Sequence, residues 1–338
     1  MGRVLAIANP KGGCGKTTVA INLAAALAAQ NRKVTLVDLD LQAHATIGFG
    51  IDPGEIDTTL HEILTCPAGE KPDWKKTLLT IAPGIQLLPG AGRCHGWPAP
   101  DTQPFHLEHL KGLVKQLAAD NDYVLLDCPS GFCAFAAAAV AAASEILVPV
   151  EAGRFSQHSF QQLASWVNNL RQKGREIMLY GLAANFDNRS AFARLALDEQ
   201  RDRFPGLFLR TAIHVSSKVR EAAYCGRPVM EHARFSQAAQ AFQMLADEIA
   251  SLEKNAAALA LADAVPQRAL QPLAENEVAL FRIHAPAARS VSVAGSFNGW
   301  RAHQLPLHGP DENGYWHTSL VLPRGTHRYR FLVDGTWT

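Results

Sequence analysis

The chain has 338 residues and a mass of 36.6 kDa, which is room for about two domains. Hydrophobic residues make up 48% and charged residues 19%, a composition that excludes a disordered or fibrous chain and fits a globular one with a sizeable core. The formal net charge of +1 excludes a global pull towards nucleic acid or membrane, so any such binding must come from a local patch.

Arg3 is followed at once by an apolar run, Val4 to Ala8, that reads as a buried strand; no signal peptide and no N-terminal helix-turn-helix extension are expected. Asn9-Pro10-Lys11-Gly12-Gly13-Cys14-Gly15-Lys16-Thr17-Thr18 then leads into an Ala/Leu/Val-rich helix, Val19 to Ala29. Strand, glycine-rich turn and helix N-terminus together make a phosphate cradle. The glycines let backbone N–H groups close on the anion, and the helix end adds partial positive charge. Lys16 reaches the β/γ-phosphates and Thr17 ligates Mg²⁺. A second lysine, Lys11, opens the loop. Cys14 sits where such a loop tolerates many residues.

Further apolar runs read as strands: 34–38, 85–88, 123–127, 146–150, 177–184 and 207–213. Helical patterns lie between them, at 105–119, 132–143, 159–172 and 191–204, and a last one runs from Ser236 to about Ala262. Near-continuous apolar strands alternating with helices predict an α/β fold with a mostly parallel sheet covered by helices on both faces. The alanine-rich segment 132–143 is too short to span a bilayer, and the last helix lacks the basic and bulky apolar faces of a membrane anchor. No membrane partner is expected. Six scattered cysteines (Cys14, Cys66, Cys94, Cys128, Cys133, Cys225) have neither zinc-site nor disulfide-scaffold spacing, which with a nucleotide loop points to a reducing cytoplasm. Cys128 and Cys133, beside a strand-end carboxylate, are read as small buried residues rather than cluster ligands.

Val265-Pro266 to Gln271-Pro272 breaks the pattern, so residues 1–252 form one domain, 253–275 a helix end and linker, and 276–338 a second domain. There the period changes to two. Residues 278–283, 290–294, 315–320 and 327–333 read as strands, with turns at Asn298-Gly299, Asn313-Gly314, Arg324-Gly325 and Asp334-Gly335. A small all-β, immunoglobulin-like sandwich is expected, with one more strand beyond Thr338.

Two segments complete the nucleotide site. Val37-Asp38-Leu39-Asp40-Leu41-Gln42 and Leu126-Asp127-Cys128-Pro129-Ser130 put three carboxylates at strand C-termini, where an open α/β sheet forms its ligand crevice. Carboxylates there bind Mg²⁺ through water or orient an attacking water.

The lysine-first loop, the segment Val37 to Thr46 and Asp127-Cys128-Pro129-Ser130 together resemble the ParA/MinD family of deviant Walker-A P-loop ATPases. The likeness continues through 181–189, 210–213, 218–222, 226–228 and 238–249, and so covers residues 1–252. The resemblance implies a slow, partner-stimulated ATP hydrolase that forms an ATP-dependent sandwich homodimer. In it Lys11 would cross to the partner's phosphates, Lys16 would bind its own, Gly12 to Thr18 would cradle them and Thr17 would hold Mg²⁺. Asp40 would position water, with Asp38 and Asp127 in the metal's outer shell and Asn185 at the adenine edge. Leu41, His44 and Ser130 depart from the family pattern at positioning residues. Partitioning members bind DNA without sequence preference through basic residues. Here Arg210, Lys218, Arg220, Arg227 and Arg234 fall near the matching segment, diluted by Glu221 and Glu231, and a solvated surface is the competing reading.

Segments 293–300, 322–325, 329–331 and 333–337 resemble the glycogen-binding module of the AMP-activated kinase β subunit, over residues 276–338. The resemblance implies that Trp300 and Trp337 stack on sugar faces and Arg330 supplies a hydrogen-bonding cation; packing or protein docking is the alternative. The combined expectation is a cytoplasmic, nucleoid-associated ATPase that positions a glucan-associated cargo. Its rivals are a regulatory switch acting on a protein partner without DNA, and a reductase with a bridged iron–sulfur cluster.

Overall fold

The computed structural model describes residues 2–40, 42–65, 73–90, 107–131, 133–252, 276–296, 300, 305–307, 309–311, 313–323 and 326–338. Leu41, Cys66, Cys94, the expected linker over 253–275, and the turns at 298–299 and 324–325 lie outside the described residues. The chain divides into two compact units, Met1–Leu270 and Gln271–Thr338.

In chain order the first unit runs β1 (Arg3–Ile7), α1 (Lys16–Ala28), β2 (Val34–Asp38), α2 (His44–Gly48), α3 (Leu60–Thr65), β3 (Leu79–Ala82), β4 (Ile85–Leu88), α4 (Leu107–Asp120), β5 (Tyr123–Asp127), α5 (Ala134–Ala142), β6 (Glu145–Val150), α6 (Arg154–Gln172), β7 (Met178–Phe186), α7 (Ala191–Arg203), β8 (Phe208–His214), α8 (Ser217–Tyr224), α9 (Val229–His232) and α10 (Gln237–Leu252). Eight strands form one sheet in the order β3-β4-β2-β5-β1-β6-β7-β8. Every neighbouring pair is parallel except β3–β4.

Each central strand divides its side chains between two cores. Val4 and Ala6 of β1 and Val124 and Leu126 of β5 pack with Leu110, Leu113 and Leu117 of α4 and Leu163 of α6. Leu5, Ile7 and Leu125 point the other way, onto Leu23 and Leu27 of α1 and Phe242, Leu245 and Ile249 of α10. A strand covered on both faces must be apolar at successive positions, which is why these runs do not alternate.

The structure moves one boundary that matters. α1 begins at Lys16, not Val19, because left-handed Gly15 (φ 89°) turns the chain and its carbonyl accepts the Val19 amide at 2.8 Å. Lys16, Thr17 and Thr18 thus form the first helical turn, where backbone N–H groups lack intrahelical partners and are suited to binding an anion. The half-exposed strand β3 and the short helices α2, α3, α8 and α9 add to the expected elements. They are too short to carry a readable period.

The second unit contains β9 (Asn276–His284), β10 (Val291–Gly295), β11 (Tyr315–Pro323), β12 (Tyr329–Val333) and β13 (Thr336–Trp337). β9 pairs with β11, and β10-β12-β13 form a second antiparallel sheet. Phe281 and Trp316 from one sheet meet Val291 and Val293 from the other in a common core. β13 is an addition to the sequence reading. Asp334 (φ 48°) and Gly335 (φ 82°) form the two-residue reversal that returns the chain onto β12.

Candidate nucleotide site

The site grows from three adjacent strand ends. In the sheet register Ile7 pairs with Asp127, and Asp127 with Asp38, so the loops after β1, β5 and β2 leave from one row. The loop after β1 is fixed at its start by Asn9. Its side chain donates to the Pro149 carbonyl at 2.7 Å and accepts the Lys11 amide at 2.9 Å. Gly131 N–H donates to Pro10 O at 2.8 Å, bringing the loop after β5 alongside. Between these loops lies a cleft of about 340 Å³, lined by Gly12, Gly13, Gly15, Lys16, Thr17 and Thr18 and, opposite, by Asp40, Gln42, His44 and Ser130. Cys14 is buried beneath the loop, its thiol 3.3 Å from Lys11 O, so it contributes backbone rather than side chain.

The two lysines part company. Lys16 lines the cleft, its ammonium donating to Lys11 O at 3.2 Å. Lys11 does not line the cleft. Its ammonium lies 2.5 Å from Glu151 Oε2 and 3.2 Å from Ser156 Oγ, and the other Glu151 oxygen accepts Asn185 Nδ2 at 2.8 Å. Partial burial opposes ionisation of Glu151, but hydrogen bonds from Asn185 and Lys11 outweigh it and hold the carboxyl below its ordinary range. Asn185 sits at the end of β7, exposed, with φ 49°. It is joined to the Lys11 loop through Glu151 and is not part of the cleft wall.

The acids are held differently. Asp38 Oδ2 accepts both the amide and the hydroxyl of Thr46, at 2.8 and 2.7 Å, and Oδ1 accepts the Asp40 amide at 3.1 Å. Burial still pushes its carboxyl up to about 6. Asp127 is fully buried, and neither of its oxygens has a hydrogen-bond partner among the described residues. Burial first, then the Asp38 charge, raises its carboxyl well above the ordinary range, while nearby Thr17 and Lys16 pull the other way.

Two side-by-side buried acids, one with both oxygens orphaned, fit a divalent cation. The described residues contain no group of three or more His, Cys, Asp or Glu able to cage a metal. The oxygen donors of Asp38, Asp127 and Thr17 suit a hard ion such as Mg²⁺, which is usually bound by one or two carboxylates together with phosphate and water. Of the two cysteines beside Asp127, Cys128 is buried as expected, whereas Cys133 is only half-buried.

Sequence reasoning missed Glu151, although it stands just after strand 146–150 at the same end of the sheet where Asp127 closes its own strand. It also missed Gly90, where an added Cβ would lie 3.0 Å from Asp38 Cγ and 2.9 Å from Asp40 O.

Elsewhere, Lys218 and Arg220 are exposed on α8, with Lys218 paired to Glu221 at 2.7 Å. Arg220, Arg227 and Arg234 are exposed without an ion pair among the described residues, and Arg210 reaches Glu248 at 3.7 Å. In the second unit Arg330 and Leu332 alternate to the same face of β12. Trp337 pairs with Leu332, so Arg330 and Trp337 share that outer face. Trp300 is 46% exposed, and its amide donates to Gly295 O at the end of β10.

The comparisons agree with this geometry. The family described as an AAA domain matches residues 2–179, and the glycogen recognition site of AMP-activated protein kinase matches 281–338. The chromosome partitioning protein ParA of Caulobacter vibrioides is 31% identical over 258 residues, 75% of this chain and 96% of the relative. The cell division ATPase MinD of Pyrococcus furiosus is 28% identical with a TM-score of 0.61, covering 75% of this chain and 100% of that one. The septum site-determining protein MinD of Pyrococcus horikoshii, solved with Mg-ADP, is 27% identical with a TM-score of 0.62, covering 75% and 98%. The chain belongs to the ParA/MinD family of P-loop ATPases and carries a C-terminal domain of the AMP-activated kinase glycogen-recognition type.

Proposed function

We propose that this ATPase closes into a homodimer on ATP, binds DNA without sequence preference in that state, and thereby positions a glucan-associated cargo in the cytoplasm. The observation that carries the reading is the division of labour between the lysines. Lys16 faces its own cleft, whereas Lys11, from the same loop, is directed out of it and held by Glu151. A cation placed there is available to a second copy's phosphates, which ties transition-state charge neutralisation to dimerisation. ATP and Mg²⁺ are the cofactors. Gly12 to Thr18 would cradle the phosphates, and Thr17, with Asp38 and Asp127 behind it, would hold the ion, which would supply charge neutralisation at the phosphates. Asp40 orients the attacking water.

DNA contact is assigned to Lys218 and Arg220 of α8, and glucan contact to Trp300, Arg330 and Trp337. No helix among the described residues is long and apolar enough to cross a membrane.

One observation favours a second reading, a switch acting on a protein partner without DNA. Tyr224 and Phe235, in the same α8–α10 segment as the arginines, are 94% and 90% exposed, and bare aromatic surface suits a protein contact. Sedimentation with ATP or ADP, with and without duplex DNA at rising salt, separates the two. A salt-sensitive complex that needs ATP supports the DNA reading, and an ATP dimer indifferent to DNA supports the switch.

A further inference from the structure

Asp40 is held from both sides. Its Oδ1 accepts the Gln42 amide at 3.1 Å, and its Oδ2 lies 2.6 Å from His44 Nδ1. The second contact is at the short end of charge-assisted hydrogen bonds. An ionised carboxylate only accepts, so the imidazole tautomer that makes this contact carries its proton on Nδ1.

The backbone is built to make this contact. The Ala43 amide donates to Asp40 O at 2.9 Å and closes a turn, and Ala43 itself adopts φ 52°, ψ 39°. That left-handed conformation is unfavourable for a residue with a Cβ and persists where surroundings enforce it. Here Ala43 is fully buried and Gly90 packs directly upon it, with room for no Cβ: one would lie 3.1 Å from Ala43 Cα. The strained residue starts α2 and turns its first side chain, His44, back onto Asp40. The ring is half-exposed and lines the nucleotide cleft, so packing alone does not account for its orientation.

We propose that His44 is a positioning residue for ATP hydrolysis. Its Nδ1–H fixes the plane of the Asp40 carboxylate, so that the lone pairs left free on Oδ1 and Oδ2 hold the attacking water in one direction. The inference rests on Asp40 being the water-orienting group. A bland alternative exists, in which the pair merely starts a short helix, and the two differ in what an asparagine does. Asparagine Nδ2 falls close to the place of histidine Nδ1 and donates from there, whereas alanine and phenylalanine cannot.

The test is single-turnover ATP hydrolysis with protein in excess, alongside binding of a fluorescent ATP analogue, for wild type, His44→Ala, His44→Phe, His44→Asn, Asp40→Ala and the Asp40→Ala/His44→Ala double variant. His44→Ala and His44→Phe should hydrolyse about tenfold more slowly with nucleotide affinity within about twofold, since only transition-state positioning is lost. His44→Asn should recover most of the rate, and His44→Ala should cost nothing further once Asp40 is gone. If the Ala and Phe variants turn over like wild type while Asp40→Ala does not, the role of His44 is refuted and that of Asp40 stands. If Asp40→Ala itself is unimpaired, both fall. A loss shared by affinity and rate, or one that asparagine fails to restore, makes His44 a shaper of the cleft and overturns the proposal.

Discussion

The ammonium of Lys11 and the carboxylate of Glu151 stand 2.5 Å apart, joining the first residue of the glycine loop to the end of β6. Both side chains are partly exposed, at 32% and 25%, so the pair contributes modestly, about 0.2–1 kcal/mol. For an ATP dimer in which Lys11 serves the partner, this contact must open. Acid alone opens it only well outside neutrality. The Glu151 carboxyl is held below its ordinary value, so its contribution is present above the unfolded carboxylate range and is lost as pH falls through the lowered folded value. At neutral pH a competing anion must draw the lysine away.

Substitutions follow directly. Lys16→Ala should abolish ATP binding, because it removes the cation of its own cleft. Lys11→Ala should bind ATP and stay monomeric. Glu151→Gln keeps an acceptor for Asn185 but releases Lys11, and should lower the ATP concentration for half-dimerisation by about two- to fivefold, the factor a partly exposed ion pair commands. Light scattering across an ATP titration measures all three. A Lys11→Ala protein that dimerised like wild type would remove the in-trans role.

Asp38 and Asp127 make a second prediction. Two buried carboxylates at paired register positions repel, and the Asp127 oxygens find no donor among the described residues. Asp127→Asn removes the buried like charge beside Asp38 and should therefore stabilise the nucleotide-free protein, by about 1–2 kcal/mol, the size of a modest repulsion between neighbouring carboxylates. For a domain of this size that is a rise in melting midpoint of about 2–8 °C. The same change should abolish the further stabilisation by Mg²⁺ with ADP, because the outer-shell charge is gone. Thermal melts with EDTA, with Mg²⁺ and with Mg²⁺-ADP read both effects; a less stable apo variant would contradict the assignment of Asp127 to a cation.

What could be read from the sequence was whatever a period or a spacing carries. The strand-end acids Asp38, Asp40 and Asp127 and the loop 9–18 were legible because the chemistry of a phosphate cradle dictates residue type and order. In the second unit the turns at Asn313-Gly314 and Asp334-Gly335 fall where the alternation breaks. The edge strand β3 was not legible, since four half-exposed residues hold too little pattern to distinguish them from a loop. The Lys11–Glu151 pair spans 140 residues and the Gly90–Ala43 contact crosses from one loop to another. Such contacts follow from the sheet order, with β6 beside β1 and β4 beside β2, and no local pattern encodes that order.

The DNA assignment predicts an effect that depends on nucleotide. Lys218→Glu with Arg220→Glu should weaken binding of the ATP form to duplex DNA of any sequence and flatten its dependence on salt. A dimer presents each basic side chain twice, and the slope of log K against log salt falls by about 0.9 for each phosphate that is no longer neutralised. Lys218 is already paired with Glu221, so Arg220 should carry more of the loss than Lys218 when the two are reversed singly. Binding that survives the double reversal with its salt slope unchanged excludes this face.

The C-terminal unit should be retained by α-1,4-glucan in native affinity gels, weakly and through few residues. Trp300 and Trp337 are 46% and 44% exposed, whereas Trp316 is buried in the core with its indole N–H bonded to Ala285 O at 3.0 Å. The first two can offer planes to sugar C–H faces and the third cannot. By analogy with base stacking, each plane is worth about 1–3 kcal/mol, so losing one should reduce affinity about five- to 150-fold and bring weak retention below detection. Trp300→Ala and Trp337→Ala should therefore migrate like an unrelated protein on glycogen gels while melting like wild type. Arg330→Ala, on the outer face with Trp337, should show an intermediate shift. Trp316→Ala should instead lower the melting point of the unit, because it opens the core shared by the two sheets. ATP turnover in the Trp300 variant should remain that of wild type, since the described residues that line the nucleotide cleft belong to the first unit. Absence of retardation for the intact chain on both glycogen and amylopectin would assign this face to protein docking and remove glucan from the cargo, leaving the ATPase untouched.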